Sequence, residues 1–205
     1  MAATQAAIQI RSALARHPEK VATYVGSGQI GDWAAGEAAS YAFALAEAER
    51  RGNRKGQKAL RAIGPPPHTV ARLLKERTWL SRLEGQVNAK TLWSVARIFL
   101  TLPELSILEL PGFMRGFRFS LDAMWDEVSR LNLIRAVPSL QMPAFFFLGR
   151  RDHWVPPETS VAWIDALAAP SKRLVWFEES GHEPFVDEPA RFNASMVELV
   201  RPVAV

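Results

Sequence analysis

The clearest pattern in this chain is AFFFLGRRDHWVPPETSVAWIDALAAPSKRLVWF, residues 144–177. Ala144–Leu148 is an apolar run typical of a parallel strand that is covered on both faces, and Arg173–Phe177 is a second β-rich run. Between these runs, Pro156-Pro157-Glu158 predicts the start of a helix, because the N–H that proline lacks would have no partner in a first helical turn. Strand, helix and strand within 34 residues are the size of a βαβ unit, so we predict a parallel sheet.

Segments near both ends of the chain extend this pattern. Val21–Val25 (VATYV) is a third β-rich run, and residues 8–16 predict a helix that ends just before it. From Glu188 onward, helical spacing places four apolar residues on one stripe: Phe192, Met196, Leu199 and Val200. We therefore predict an α/β core with three parallel strands and helices packed on them.

The middle of the chain, residues 33–138, contains no convincing strand. Asp32 is a suitable N-cap for a helix, and Gly64–Pro67 interrupts the chain. Apolar residues recur at helical spacing on either side of that break: Tyr41, Leu45, Ala48, Val70, Leu73, Leu74, Leu80, Leu92, Val95, Phe99, Leu121, Met124, Trp125, Val128 and Leu131. An insertion of this size is typical of a lid or cap over a site. We predict a core over residues 1–32, an all-helical cap over 33–138, and the second part of the core over 139–205.

Composition narrows the functional classes. Hydrophobic residues make up 48% and charged residues 22% of the 205 residues, which is an ordinary globular balance. The longest uncharged stretch has 14 residues, fewer than the roughly 20 of a membrane-spanning helix, and no secretory signal pattern is visible.

The sequence contains no cysteine, which excludes thiolate chemistry and fits a cytoplasmic location. No spacing of His, Asp and Glu is typical of a metal site, so we predict no metal and no cofactor.

The net charge is +4, and most of the surplus lies in one segment with the cations Arg50, Arg51, Arg54, Lys55, Lys58 and Arg61. Such a cluster attracts anions, including the phosphates of nucleic acids. It has no interleaved aromatic residues on which bases would stack, so a solvated helix face is the favoured interpretation. We predict neither a nucleic-acid partner nor a membrane partner.

Three loops follow the carboxyl ends of the predicted strands: residues 26–29, 149–153 and 178–182. Open parallel sheets bind ligands at this edge. Because the strands of a βαβ unit are parallel, the loops that carry Asp152 and His182 emerge at one edge, within hydrogen-bonding range of each other. A carboxylate that orients an imidazole, which in turn takes a proton from a hydroxyl, is the Asp–His part of a nucleophilic relay. We predict Asp152 and His182 as catalytic residues.

Each candidate has a structural alternative. Asp152 is also suited to an Asx turn within its own loop, and His182 to an exposed loop position. His153 is more typical of a neighbour that packs against the site than of the base. His17 and His68 lie beside prolines and are interpreted as structural. Glu179 and Glu183 flank the predicted base and are suited to tuning its pKa.

Four segments carry a family pattern: HPEKVATYVGSGQ (residues 17–29), GFRFSLDAMWDEV (116–128), MPAFFFLGRRDHWVPPE (142–158) and FEESGHEPFVDEP (177–189). Together they resemble the α/β-hydrolase family, in particular its proline-iminopeptidase-like branch, from about residue 17 to residue 201. The resemblance implies that the three strands are the last three of about eight and that the helical block is the family's cap. It also implies that Asp152 is the triad acid and His182 the triad base, in the order that the fold requires.

The nucleophile of this family lies in a G-x-S-x-G turn between a strand and a helix, and the sequence contains no such motif. Counting back from His17 by the family's spacing reaches Thr4, which lacks both flanking glycines. Ser27 lies at a strand end but leads into a loop, so we interpret it as a residue that borders the pocket. The nucleophile stays unassigned, and we expect the chain to be an N-terminally incomplete hydrolase. An in-frame upstream segment that encodes strand, G-x-S-x-G and helix would support this expectation.

The resemblance implies a serine hydrolase that, in complete form, cleaves small peptides, amides or esters by Ser-His-Asp acyl transfer. Aminopeptidase activity on an N-terminal proline is favoured over esterase or lactonase activity. Glu37 and Glu47 are candidates to bind the substrate amine, and the expected partner is a small molecule or short peptide. The alternative is a non-catalytic protein that self-associates, because Val21–Val25 would present an unpaired apolar edge.

Overall fold

The structure of the chain, a computed structural model, describes residues 17–84, 108 and 110–204. The chain divides into two compact units. The core unit consists of the segments up to Ser40 and from Arg130 onward, and the helical unit is Tyr41–Ser129. The boundaries expected from the sequence, at residues 32 and 138, stay a prediction. Some expectations lie outside the described residues: the helix over residues 8–16, the position of Thr4, and the helical spacing of Leu92, Val95 and Phe99.

The helices of the described residues are numbered here in chain order. They are α1 (Trp33–Arg50), α2 (Arg54–Ile63), α3 (Val70–Glu84), α4 (Leu110–Val128), α5 (Leu133–Ala136), α6 (Pro157–Ala166), α7 (Pro184–Asp187) and α8 (Pro189–Ser195). A π-helical turn (Met196–Val200) follows α8, and 3₁₀ turns lie at Pro18–Lys20 and Arg201–Val203. None of these helices is long and apolar enough to cross a membrane.

Three parallel strands form the sheet of the core unit: β1 (Tyr24–Ser27), β2 (Ala144–Gly149) and β3 (Lys172–Phe177). They lie in the order β1-β2-β3, with Tyr24 opposite Ala144 and Ala144 opposite Lys172. The parallel sheet predicted from the βαβ pattern is confirmed, and the strands of that unit are direct neighbours.

The first strand begins at Tyr24, later than the sequence-based expectation of Val21. Two donors at its start, the Thr23 hydroxyl and the Tyr24 N–H, bind the carbonyl oxygen of Pro143 at 3.0 and 2.9 Å. Pairing therefore starts where β2 starts, at Ala144. A partner this distant in the sequence sets the strand boundary, and local β propensity does not contain that information.

Successive residues of β2 point to opposite faces of the sheet and bury two separate layers. On one face the ring of Phe146 packs edge-on against Trp163 of α6, with centroids 5.4 Å apart. On the other face Phe145 and Phe147 pack with Val200. All residues of β2 are buried, as expected for a strand with helices on both sides.

The apolar stripe predicted after Glu188 is confirmed. Phe192, Met196 and Leu199 pack around Val200 on the second face of the sheet, and the ring of Phe192 lies 5.3 Å from that of Phe147. The apolar stripe of α8 and the π-helical turn therefore packs against the second face of the sheet.

The ends of two helices are capped by charged side chains. Asp32 caps α1 as predicted, because its Oδ1 accepts the N–H of Ala35 at 3.0 Å. At the C-terminus of α6, the Lys172 ammonium group donates to three carbonyl oxygens, at 2.6 to 2.9 Å, where the helix dipole favours a cation; they belong to Ile164, Asp165 and Leu167. The cap by Lys172 fixes the end of α6, the helix that links β2 to β3.

The described part of the helical unit contains no strand. The Tyr41 hydroxyl donates to Leu60 O at 3.1 Å and so links α1 to α2. Trp125 Nε1 donates to His68 O at 3.2 Å and so links α4 to the segment that precedes α3. Three of the six cations of the cluster form ion pairs: Arg50 and Arg51 share Glu47, and Arg61 pairs with Glu49. The predicted helical stripe ends earlier than expected, since α4 ends at Val128 and Leu131 is buried in the core unit.

Candidate active site

The carboxyl ends of β2 and β3 are held together by backbone contacts. The N–H of Arg150 donates to Phe177 O and the N–H of Arg151 to Ser180 O, both at 2.9 Å. Gly149 has no room for a side chain, because a Cβ there would overlap the carbonyl oxygen of Gly181. The loops that follow these two strands therefore lie side by side at one edge of the sheet.

Asp152 lies in the loop after β2 and is 3% exposed. Its Oδ1 accepts the N–H groups of Trp154 and Val155 at 2.9 and 2.8 Å. Its Oδ2 lies 2.9 Å from Nδ1 of His182. The Asx-type turn and the contact with histidine, which the sequence left as alternatives, are both present, one on each carboxylate oxygen.

The side chain of His182 lies in the loop after β3 and is 24% exposed. Its Nδ1–H donates to Asp152, and Nε2 has no hydrogen-bond partner among the residues that the structure describes. The ring of Trp154 stacks on the imidazole with centroids 6.4 Å apart and an interplanar angle of 21°. One ring nitrogen is thus fixed by the carboxylate, while the other is free to exchange a proton with a ligand.

The surroundings raise the pKa of His182 above its ordinary value of 6.5. Burial is the largest single influence and by itself lowers this pKa, because it penalises the charged ring. The charge of Asp152, its hydrogen bond to the ring and the charge of Glu183 act in the opposite direction and together outweigh burial. The pair therefore favours the imidazolium, which is the state a general base reaches when it takes a proton.

Gly28 is a site residue that the sequence analysis missed. It follows β1 with φ +55°, and a Cβ there would lie 2.7 Å from His182 O and 2.9 Å from His182 Nδ1. Only glycine allows this backbone to approach the imidazole so closely. The glycines of Gly26-Ser27-Gly28 indicate a tight turn or a close backbone approach after β1, but they do not indicate that the loop contacts His182.

Three further residues that the sequence places near the site have contacts of their own or a buried polar atom: Ser27, His153 and Glu179. Ser27 ends β1, and its buried Oγ has no hydrogen-bond partner among the described residues. The carbonyl oxygen of His153 accepts the Ser40 hydroxyl at 2.8 Å. Glu179 forms an ion pair with Arg151.

The remaining histidines have contacts of their own. His17 is exposed and its Nδ1 lies 3.3 Å from Glu19 Oε1. His68 belongs to the helical unit, where its Nε2 bonds to Gly64 O at 2.9 Å and its ring contacts Tyr41 edge-on. Neither contributes to the Asp152–His182 pair.

The two acids proposed for the substrate amine differ in their surroundings. Glu47 belongs to the helical unit, where a hydrogen bond from Arg50, together with Arg51, lowers the pKa of its carboxyl to about 2. Glu37 is 5% exposed in the first turns of α1, in the core unit. Among the described residues, no group of His, Asp and Glu has the arrangement of a metal site.

The chain is 31% identical over 187 residues to "Probable aminopeptidase YbaC" of Bacillus subtilis (strain 168), a match that covers 87% of this chain and 57% of the relative. It is 34% identical over 76 residues to "AB hydrolase superfamily protein YclE" of the same organism, covering 37% and 27% of the two chains. Among solved structures, the proline iminopeptidase of Mycobacterium smegmatis matches with a TM-score of 0.51 and 13% identity, over 97% of this chain and 62% of that one. No protein-family model matches the chain.

By sequence and by fold, the chain is related to the α/β-hydrolases. Its three-stranded parallel sheet with flanking helices is part of an α/β-hydrolase core, so the fold class predicted from the sequence is confirmed. The chain spans 57% of the length of its curated relative YbaC.

Proposed function

We propose that Asp152 and His182 are the acid and the base of an α/β-hydrolase that cleaves small peptide, amide or ester substrates by acyl transfer. The observation that carries this proposal is the 2.9 Å contact between Asp152 Oδ2 and His182 Nδ1 at the carboxyl edge of the sheet. A buried carboxylate that fixes one nitrogen, with the other nitrogen unbonded, is the arrangement that general-base catalysis needs.

In this mechanism His182 Nε2 takes the proton of a nucleophilic hydroxyl as its oxygen attacks the substrate carbonyl. Asp152 accepts the Nδ1–H throughout, holds the ring in one tautomer and stabilises the imidazolium. His182 then gives the proton to the departing amine or alkoxide. The neutral histidine next takes a proton from a water molecule whose oxygen attacks the acyl intermediate. It then gives that proton to the nucleophile's oxygen as the bond to the acyl group breaks, which releases the acid and restores both the hydroxyl and the neutral histidine.

The proposed nucleophile is a serine that lies outside these 205 residues, because the sequence contains no G-x-S-x-G. Ser27 is proposed to border the pocket beside Gly28. A separate G-x-S-x-G segment would also bring the strained turn that exposes a hydroxyl at the tip of a strand.

Aminopeptidase activity, with an N-terminal proline as the favoured substrate, is the narrower proposal. The name of the relative YbaC, a probable aminopeptidase, supports it. Glu37 is the candidate for binding the substrate ammonium group, since it lies on α1 one turn before Ser40, whose hydroxyl binds the carbonyl of His153. Glu47 is less suited, because two arginines already neutralise it.

The test is labelling by a fluorophosphonate probe. We expect a polypeptide that extends this chain with its in-frame upstream sequence to be labelled at one serine, and His182→Ala to slow that labelling by about 10⁴–10⁶-fold. His17→Ala is the matched control, because this histidine is exposed and does not contribute to the pair, and it should label at the wild-type rate. Equal labelling of the His182 variant would contradict the role of this residue, and labelling of the 205-residue chain itself at a serine or threonine would contradict the external nucleophile.

A second candidate function is self-association without catalysis. Within the described residues β1 pairs with β2 on one side only, and an unpaired strand edge is a template for another chain. A stable oligomer in size-exclusion chromatography, together with an extended polypeptide that the probe does not label, would favour this alternative.

A further inference from the structure

Glu188 binds the loop that precedes His182. Its Oε2 accepts the N–H of Glu179 at 3.1 Å and the hydroxyl of Ser180 at 2.6 Å. Its side chain is 16% exposed, and the other carboxylate oxygen lies 3.6 Å from Nη1 of Arg191. The contact with Ser180 is partly buried and the contact with Glu179 is exposed. Hydrogen bonds to a charged acceptor are stronger than those between neutral groups, and more so where they are shielded from water.

Asp187 makes a contact of the same kind, since its Oδ2 accepts the N–H of Gly181 at 3.0 Å. Ser180, which is fully buried, links this loop to the other member of the pair. Its carbonyl oxygen accepts the N–H of Arg151 at 2.9 Å, and Arg151 directly precedes Asp152. The contacts thus run from the two carboxylates through the loop to both sides of the Asp–His pair.

The position of Glu188 at the start of a helix suggests a simpler role, because carboxylates commonly cap helices at that place. Glu188 is the N-cap residue of α8, yet its side chain makes no capping hydrogen bond. It turns instead toward Glu179 and Ser180. Helix capping therefore does not account for this side chain.

We propose that Asp187 and Glu188 are positioning residues that hold His182 in place against Asp152. No helix or strand fixes the backbone between Phe177 and Pro184. The two carboxylates therefore accept the N–H groups of Glu179 and Gly181, and the contact of Ser180 O with the Arg151 N–H is the backbone link to the loop of Asp152. A displacement of the ring by about 1 Å is enough to break the hydrogen bond to the carboxylate. The effect of these residues on turnover rests on the proposed function, whereas their effect on the position of the imidazole does not.

The test is an NMR titration of the four histidine side chains of the folded 205-residue chain, with His182 assigned from a His182→Gln variant. Glu188→Ala is expected to lose most of the upward displacement of the His182 pKa, because the ring leaves Asp152. Glu188→Gln is expected to retain it, since the amide oxygen still accepts both hydrogen bonds. Glu198→Ala, an exposed glutamate in the same C-terminal region, is the matched control and should titrate as the wild type does.

A purely structural role for Glu188 would lower the melting temperature and leave the His182 pKa of the folded protein unchanged, which would overturn the proposal. If Glu188→Ala does not fold, Asp187→Ala serves as the second variant, because it removes one hydrogen bond and keeps Glu188. An unchanged His182 titration in that variant would overturn the proposal equally. The readout needs no turnover, so its failure leaves the proposed function standing, and absence of fluorophosphonate labelling leaves this inference standing.

Discussion

Replacing Gly149 by alanine is expected to lower the free energy of unfolding by about 3 kcal/mol. The new methyl group would overlap the backbone of Gly181 and Ser180, and backbone atoms cannot rotate away as a flexible side chain can. Relief requires β2 and the loop after β3 to move apart. Because Asp152 and His182 follow these two segments, the same movement should also separate the pair.

Urea unfolding followed by circular dichroism measures the effect of this change. Gly116→Ala is the matched control, because a Cβ at that helical position meets nothing within 4 Å, and alanine favours a helix over glycine by about 1 kcal/mol. It should therefore leave stability unchanged or increase it. A Gly149 variant as stable as the wild type would show that the two loops are not packed as described.

Removing the carboxylate of Asp152 should have a similarly large effect. In Asp152→Ala the N–H groups of Trp154 and Val155 lose their acceptor and His182 loses its partner. Breaking a buried pair of this kind costs about 3–5 kcal/mol. Asp152→Asn should cost less, because the amide oxygen still accepts the two backbone N–H groups while the negative charge is removed.

The charge of Asp152 also predicts a pH dependence with a definite sign. Because the pKa of folded His182 is raised above 6.5, the protonated ring stabilises the fold. That contribution is fully present below the ordinary pKa and is lost as the pH rises through the folded pKa. The difference in unfolding free energy between the wild type and Asp152→Asn should therefore be larger at about pH 5.5 than at about pH 9. A difference that is constant across this range, or that grows with pH, would contradict the attraction between the two side chains.

Much of the core could be predicted from local sequence. The apolar run Ala144–Leu148 and the prolines before α6 carry their own signals, and the βαβ pattern then places Asp152 and His182 at one edge without any further information. The start of β1 was predicted too early, because the pairing of Tyr24 next to Pro143 depends on a distant segment.

The support of the site was not predictable for a related reason. Gly28, Asp187 and Glu188 have no distinctive spacing relative to His182, and their importance appears only when the chain is folded. The Asx turn at Asp152 shows a different limit. The sequence pattern alone is equally typical of an Asx turn and of a histidine contact, whereas the two carboxylate oxygens of Asp152 make both.

The most direct experiment follows the imidazole nitrogens of His182 by NMR in the wild type and in Asp152→Asn. We expect a neutral ring that carries its proton on Nδ1, a pKa above 6.5 in the wild type, and a fall of that pKa when the carboxylate becomes an amide. A His182 that titrates at or below 6.5, with the same curve in both proteins, would show that these two side chains do not form a functional pair.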